Sequence, residues 1–353
     1  MWRPLRHVVF TPLPPWTGCG IVARNAEKST REDVIVRRWP CVLALALAAV
    51  SPVAAQDFPN KPVRVIASSS AGGISDIFIR IVGDELHKKW GQPLVVENRP
   101  GGQFNIGAKA CADAPPDGYT ICLLPVETLA YNQFLFKKLA YDANAFVPIT
   151  NVFFVTAVLI VNSSLGVHSL DDLAAVSKAK PGTLSYMSPA VPLAFFMETW
   201  RQQSGADLVR VPYKGGADAA NAIMAGSTPI AFSGLANFVP HVRSGTMTAL
   251  AVDTDKRSPL LPDVPTLREI GYTGPLTQAY FGLVAPAGTP AAIVAKLREI
   301  VVAIASDPAF AEKNMLSLGL IPILDTPEQF GRYLKDNRTT AARIVKEAGL
   351  EAQ

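Results

Sequence analysis

The sequence predicts an α/β protein of two domains, each a mainly parallel sheet flanked by helices, arranged as a clamshell. Three observations carry that expectation. Short apolar runs alternate with segments of helical apolar periodicity through residues 58–353. Loops rich in small residues follow the early runs, at positions where ligands bind in such folds. Two crossings between the halves of the pattern, near residues 157 and 277, would form a two-strand hinge.

At 353 residues, with 49% apolar and 18% charged side chains, the chain can bury two ordinary cores. Its formal charge of +4 comes from the N-terminal end: taking the seven Lys/Arg and three Asp/Glu of residues 1–55 from totals of 33 and 29 leaves 26 of each. No nucleic-acid surface is indicated. The segment Arg37-Arg38-Trp39-Pro40, followed by CVLALALAAV and SPVAA, has the basic flank, apolar run and small residues (Val53, Ala55) of a secretory leader cleaved before Gln56. The run is too short for a comfortable membrane span. Residues 1–55 are thus read as leader, the signal proper at 37–55, with a start near Val34 or Val36 and the upstream stretch a mis-assigned beginning.

Val63, Val65 and Ile66 give a first strand, stopped by Ser68-Ser69-Ser70-Ala71-Gly72-Gly73. Ile74, Ile77, Phe78, Ile81, Val82 and Leu86 then recur at helical spacing as far as the Trp90-Gly91 stop. Pro93 keeps the helix from resuming, and Leu94, Val95 and Val96 begin a strand ending at Asn98-Arg99-Pro100-Gly101-Gly102. This is a βαβ unit. Its right-handed crossover brings both loops to the carboxyl edge of one parallel sheet. In the first loop, hydroxyls, unencumbered N–H groups and the positive end of a helix suit an anion, a carboxylate or phosphate. Asn105–Ala112 reads as a helix, Pro115-Pro116-Asp117-Gly118 as a turn and Tyr119–Leu124 as a third strand. That strand ends at Pro125-Val126-Glu127-Thr128, a third loop at the same edge, where Thr128 either meets a ligand or caps a helix.

Val152–Val161 reads as one buried strand crossing between domains. Helices at Leu170–Ala179, Leu193–Gln203, Ala217–Ala225 and about Phe238–Val242 then alternate with strands at Thr183–Met187, Leu208–Val211, Pro229–Phe232 and Thr248–Val252. Ser188–Pro192 and Pro212–Gly216 are their loops. Ser258–Pro265 is an ordered proline-rich connection. A returning strand, Phe281–Ala285, precedes a helix from Pro290 to Ser306, another from Pro308, a strand at Leu320–Leu324 and a last helix from Pro327 towards Lys346. The domains are then 56–157 with 278–353, and 158–277.

Cys111 and Cys122 remain once the leader is gone. They read as small buried apolar residues, and an oxidising compartment permits a disulfide between them. Neither a metal-ligand cluster nor a cofactor motif is present, and a hydrolase would lack its elbow or its zinc pair.

Seven motifs in order carry a resemblance: Lys61-Pro62-Val63-Arg64; Ala71-Gly72-Gly73-Ile74-Ser75-Asp76; Gly91 to Gly101; Pro116-Asp117-Gly118-Tyr119-Thr120; Val211 to Gly216; Pro262-Asp263-Val264-Pro265-Thr266; and Ala285 to Pro290. Over essentially all of Gln56–Gln353 the chain resembles the Bug-type periplasmic solute receptors of tripartite tricarboxylate transporters. That resemblance implies a periplasmic-binding-protein clamshell without catalytic activity or cofactor, monomeric. It would capture a small organic acid between its domains and deliver it to a membrane permease, or present itself to a sensor kinase. Carried over, the ligand-binding positions are Ser69, Ser70, Gly72, Gly73 and the neighbourhood of Asn105, with Ser188 and the helix start at Leu193 opposite. Asp76 is weighed as a ligand contact against a helix-dipole role, and Tyr213 as a cleft residue against simple packing. The chain departs from the family pattern at Ser68-Ser69-Ser70 and at Pro189-Ala190-Val191-Pro192. The second, a stiff apolar wall, favours a ligand with an apolar or aromatic body opposite its carboxylate.

Overall fold

A strand rich in β-branched residues, Val63–Ala67 (β1), is the first element of this computed structural model, which describes residues 58–211, 216–274, 278–347 and 352. The expected leader, with its cleavage point before Gln56, lies outside the described residues, as do residues 275–277 of the expected second crossing. Helix α1 (Ile74–Trp90) follows, closed by Gly91 in the left-handed region, whose N–H donates to His87 O. Then come β2 (Leu94–Asn98), α2 (Asn105–Ala112) and β3 (Thr120–Pro125). β2 and β3 both pair in parallel with β1, so the loops after all three open at one edge.

The third loop is more regular than expected. It winds into a π-helical turn at Glu127–Tyr131 and a short helix α3 (Asn132–Leu135). Next, β4 (Phe146–Val155) and β5 (Ala157–Asn162) replace the single strand expected over Val152–Val161. Thr156 separates them, and they belong to different sheets. Beyond it run α4 (Leu170–Ala179), β6 (Ser185–Met187), α5 (Val191–Ser204), β7 (Val209–Arg210), α6 (Gly216–Met224), β8 (Ile230–Gly234), α7 (Val239–Arg243) and β9 (Met247–Val252). The chain returns through β10 (Ala279–Pro286), α8 (Ala291–Ala305), α9 (Pro308–Asn314), β11 (Leu320–Pro322) and α10 (Pro327–Glu347).

One sheet has the order β11-β4-β10-β3-β1-β2 and the other β7-β6-β8-β5-β9. Both are mixed rather than mainly parallel. β10 runs antiparallel to β3 and β4, and β5 antiparallel to β8 and β9. The strands next to the crossing pass from sheet to sheet without an intervening helix, and only a helical crossover returns the chain parallel.

Side-chain alternation sorts the core. Val63 and Val65 of β1, with Ile121 and Leu123 of β3, pack on Phe78, Val82 and Leu86 of α1 and Leu297 and Val301 of α8. Ile66, Cys122 and Leu124 face the opposite side, with Cys111, Tyr280 and Phe330. β5 is buried on both faces, Leu159 and Val161 on one and Val158 and Ile160 on the other, which explains its unbroken apolar run. Each such side chain contributes about 1.5–3 kcal/mol.

Cys111 of α2 and Cys122 of β3 are disulfide-bonded, with Cα atoms 6.1 Å apart and both residues fully buried. The bond ties α2 to the sheet across a loop of eleven positions. Replacing both cysteines with serine should lower unfolding stability by about 3 kcal/mol, read from urea titrations of oxidised protein. An unchanged midpoint would refute the cross-link's contribution.

Candidate functional site

The loop after β1 is held by a carboxylate. Asp76, in the first turn of α1, is buried; its Oδ2 accepts from Gly72 N (2.9 Å) and its Oδ1 from Arg80 Nε (3.0 Å) and Asn98 Nδ2 (2.9 Å). Asn98 also donates to Ser69 O and accepts from Arg80 Nη2, so the loop is laced to the end of β2. Burial works to raise the Asp76 carboxyl, but the hydrogen bonds from Arg80, Gly72 and Asn98 outweigh it and hold it below its ordinary value. Asp76 is thus the brace of this loop, with both oxygens occupied inside the protein.

Gly72 and Gly73 shape the loop. Gly72 has φ +79°, a conformation a side chain rarely adopts, and Gly73 N donates to Ser70 O (3.2 Å). Their N–H groups, expected to meet an anion, are engaged within the loop instead. Ser69 Oγ lies 2.5 Å from Ser75 Oγ, and Ser70 is exposed. Ser68 is fully buried, and its hydroxyl has no hydrogen-bond partner. Gly107 of α2 presses on this residue: a Cβ there would lie 2.7 Å from Ser68 Cα, so glycine sets the approach of α2 to the loop.

The second loop is exposed from Arg99 to Gln103 and leads to Asn105 at the start of α2. Asn105 Oδ1 accepts from Asn132 Nδ2 (2.7 Å) and lies 3.1 Å from Tyr141 Oη, which is equally close to Thr128 O. Asn132 also donates to Gln103 O. With its oxygen held from the protein side, the Asn105 amide turns its NH2 the other way, as a donor. Thr128 is buried and spends its hydroxyl on Pro125 O (2.9 Å). Arg99 pairs with Glu97.

From the five-stranded sheet comes α5. Pro192 fits the first helical turn, so the helix starts at Val191, two residues before the expected Leu193. The added residues place Val191 one turn before Phe195, on the same face. Leu193, Phe196 and Met197 pack into their own sheet's core, while Val191 and Phe195 join Leu129, Tyr131 and Tyr280 of the other half. Ser188 is buried, and its Oγ reaches Ala190 O at 3.5 Å. Tyr213, together with Lys214, lies outside the described residues.

Two features were missed in the sequence. Asn132 and Tyr141 orient Asn105, and nothing in their spacing signals it. Glu127 was discoverable: it is the only charged residue from Tyr119 to Phe136. It is 4% exposed, and its Oε1 accepts from Val191 N (3.2 Å), joining the two halves. Burial pushes its carboxyl up to about 7, against hydrogen bonds from its own N–H and that of Val191. Asp253, after β9, is likewise pushed up to about 7 by burial, while its Oδ1 accepts from Ala157 N (2.7 Å). Among the described residues no cluster of His, Cys, Asp and Glu could hold a metal ion.

These two carboxyls set a pH dependence. Their values rise on folding from 4.5 and 3.8 to about 7, so the folded chain binds more protons than the unfolded one between those limits. Stability therefore falls as pH rises through that window. The urea midpoint should be higher at about pH 5.5 than at about pH 8, with a shallower slope in Glu127→Gln. A midpoint that climbs towards pH 8 would contradict this sign.

The model of the tripartite tricarboxylate transporter family receptor (TctC) matches residues 78–350. The chain is 31% identical to BugT of Bordetella pertussis over 303 residues, covering 85% of this chain and 93% of BugT. Its fold matches an R. palustris protein solved with adipate at a TM-score of 0.78, with 29% identity over 84% of this chain and all of the other. MatC from Rhodopseudomonas palustris, solved with malate, matches at a TM-score of 0.73, with 28% identity over 82% of this chain and all of MatC. With its α/β clamshell and its loops gathered at one sheet edge, the chain belongs to the tripartite tricarboxylate transporter receptor family, a family of solute-binding receptors.

Proposed function

We propose that this chain is a periplasmic receptor, monomeric and non-enzymatic, that captures a small organic acid between its two halves and delivers it to a membrane permease of the tripartite type. The observation that carries the reading is the meeting of three loops at one sheet edge with the start of α5 from the other sheet. Relatives of similar fold solved with adipate and malate support a carboxylate as the ligand. The Cys111–Cys122 bond supports an oxidising compartment, and no described helix is long and apolar enough to cross a membrane.

The acid's carboxylate takes the NH2 of Asn105 and the hydroxyls of Ser69 and Ser70. The wall made by Ser188, Pro189, Ala190 and the first turn of α5 covers its apolar body. A ligand touching both halves favours the closed arrangement only by its difference in affinity for the two states, and the permease reads that population. The domains that move are 56–157 with 278–353, and 158–277.

A thermal-shift screen of the chain from Gln56 onwards against mono-, di- and tricarboxylates tests the reading. A true ligand at about a hundredfold excess over Kd adds about 2.7 kcal/mol, and no response to any acid in ligand-stripped protein refutes it. Asn105→Asp keeps the oxygen that Asn132 binds but turns a negative oxygen where the NH2 was. It should weaken carboxylate binding by about a hundredfold, about 2.7 kcal/mol, with the unliganded melting point little changed. Undiminished affinity in calorimetry would remove Asn105 from the site.

A further inference from the structure

The start of α5 is already occupied by a carboxyl group of the protein itself. Glu127 follows β3 directly, at the sheet edge shared with the other two loops, and its Oε1 takes the N–H of Val191, the first residue of the helix. Pro192 has no N–H to offer. Of the first three helical positions, one donor is spent and a second does not exist, which leaves the N–H of Leu193. The surroundings close the place further: Val191 and Phe195 pack with Val126, Leu129 and Tyr131 around the Glu127 turn. An anion arriving at this helix end would meet a carboxyl, a proline and apolar side chains.

The same turn leads to the donor end of the site. Thr128 O and Asn105 Oδ1 both lie 3.1 Å from Tyr141 Oη, so Glu127 and Asn105 belong to one connected segment of the sheet edge. In the binding mode proposed above, an acid held by Asn105 has its other end at the first turn of α5, where Glu127 is bonded.

We propose that Glu127 is a specificity-determining residue, which restricts the receptor to acids bearing one carboxylate and an apolar remainder by filling the α5 terminus with the protein's own carboxyl. The proposal rests on the carboxylate-receptor reading above. A second carboxylate on the ligand finds only the N–H of Leu193 left in the first helical turn and meets a like group beside it. An apolar end loses nothing there, because Val191, Phe195 and their neighbours accept it.

Matched pairs that differ only in the second carboxylate provide the test: butyrate with succinate, hexanoate with adipate, and benzoate with terephthalate. Kd values are measured by calorimetry at about pH 8, where Glu127 is mainly ionised. The wild-type protein should bind the monoacid of any responding pair at least about tenfold tighter. Glu127→Gln keeps an oxygen for Val191 N, and circular dichroism verifies its fold. It should improve diacid binding about tenfold while changing monoacid binding less than about threefold. A purely structural role would shift both members of a pair equally, and that result overturns the proposal. So does a wild-type preference for the diacids, which leaves the receptor reading intact. Binding of neither member of any pair, together with no response in the wider screen above, overturns both.

Discussion

The molecule is organised around the single residue at which the chain first changes sheets. Thr156 lies between β4 and β5, and each half holds it: its N–H donates to Gly319 O and its carbonyl accepts from Leu235 N, both at 2.8 Å. The next N–H, that of Ala157, goes to Asp253 Oδ1, and Asp253 N returns a bond to Ala157 O. Every polar backbone group at this point is claimed, as burial demands, with no helix or sheet ladder running through it. Both sheets are mixed accordingly: β5 and β10, the strands that enter a sheet from the other half, run antiparallel to both of their neighbours. The sheet edge that carries the three loops is placed opposite α5 by the same junction.

Much of this was legible because the early elements obey local rules. The apolar spacing of α1, the glycine Gly91 after it and the proline at Pro93 all favour one reading, and the structure follows it, with Trp90 as the last residue of the helix and Asn98 as the last of the strand. Even the apolar run through β5 was correctly read as buried. The break at Thr156 was not legible. Threonine suits a strand interior, and what interrupts the strand is a pair of hydrogen bonds to residues about 80 and 160 positions away in sequence. The start of α5 is hidden for the opposite reason: Pro192 reads as a loop residue, although proline fits the first turn of a helix.

The candidate site was legible in its place but not in its donors. Small residues between strand and helix marked the first loop, and the loop is there. Its glycine N–H groups, however, turn inward to Asp76 and Ser70. A motif reports that the backbone can approach a ligand; it does not report which acceptor wins the N–H. The orientation of Asn105 depends on Asn132 and Tyr141, 27 and 36 positions away, a dependence no local pattern encodes.

Two buried acids at the same sheet edge show how environment divides their work. Asp76 is surrounded by donors from its own half: a guanidinium, an amide and a backbone N–H. It stays ionised, and every one of these partners comes from its own half. Glu127 has far less support, its own N–H and one N–H from across the junction, and burial raises its carboxyl accordingly. An apolar residue at this position would avoid that cost. Moving α5 away would take the Val191 donor from Glu127 and admit water to it, while leaving Asp76 untouched. The first acid therefore belongs to the fold of one half, and the second belongs to the relation between the two.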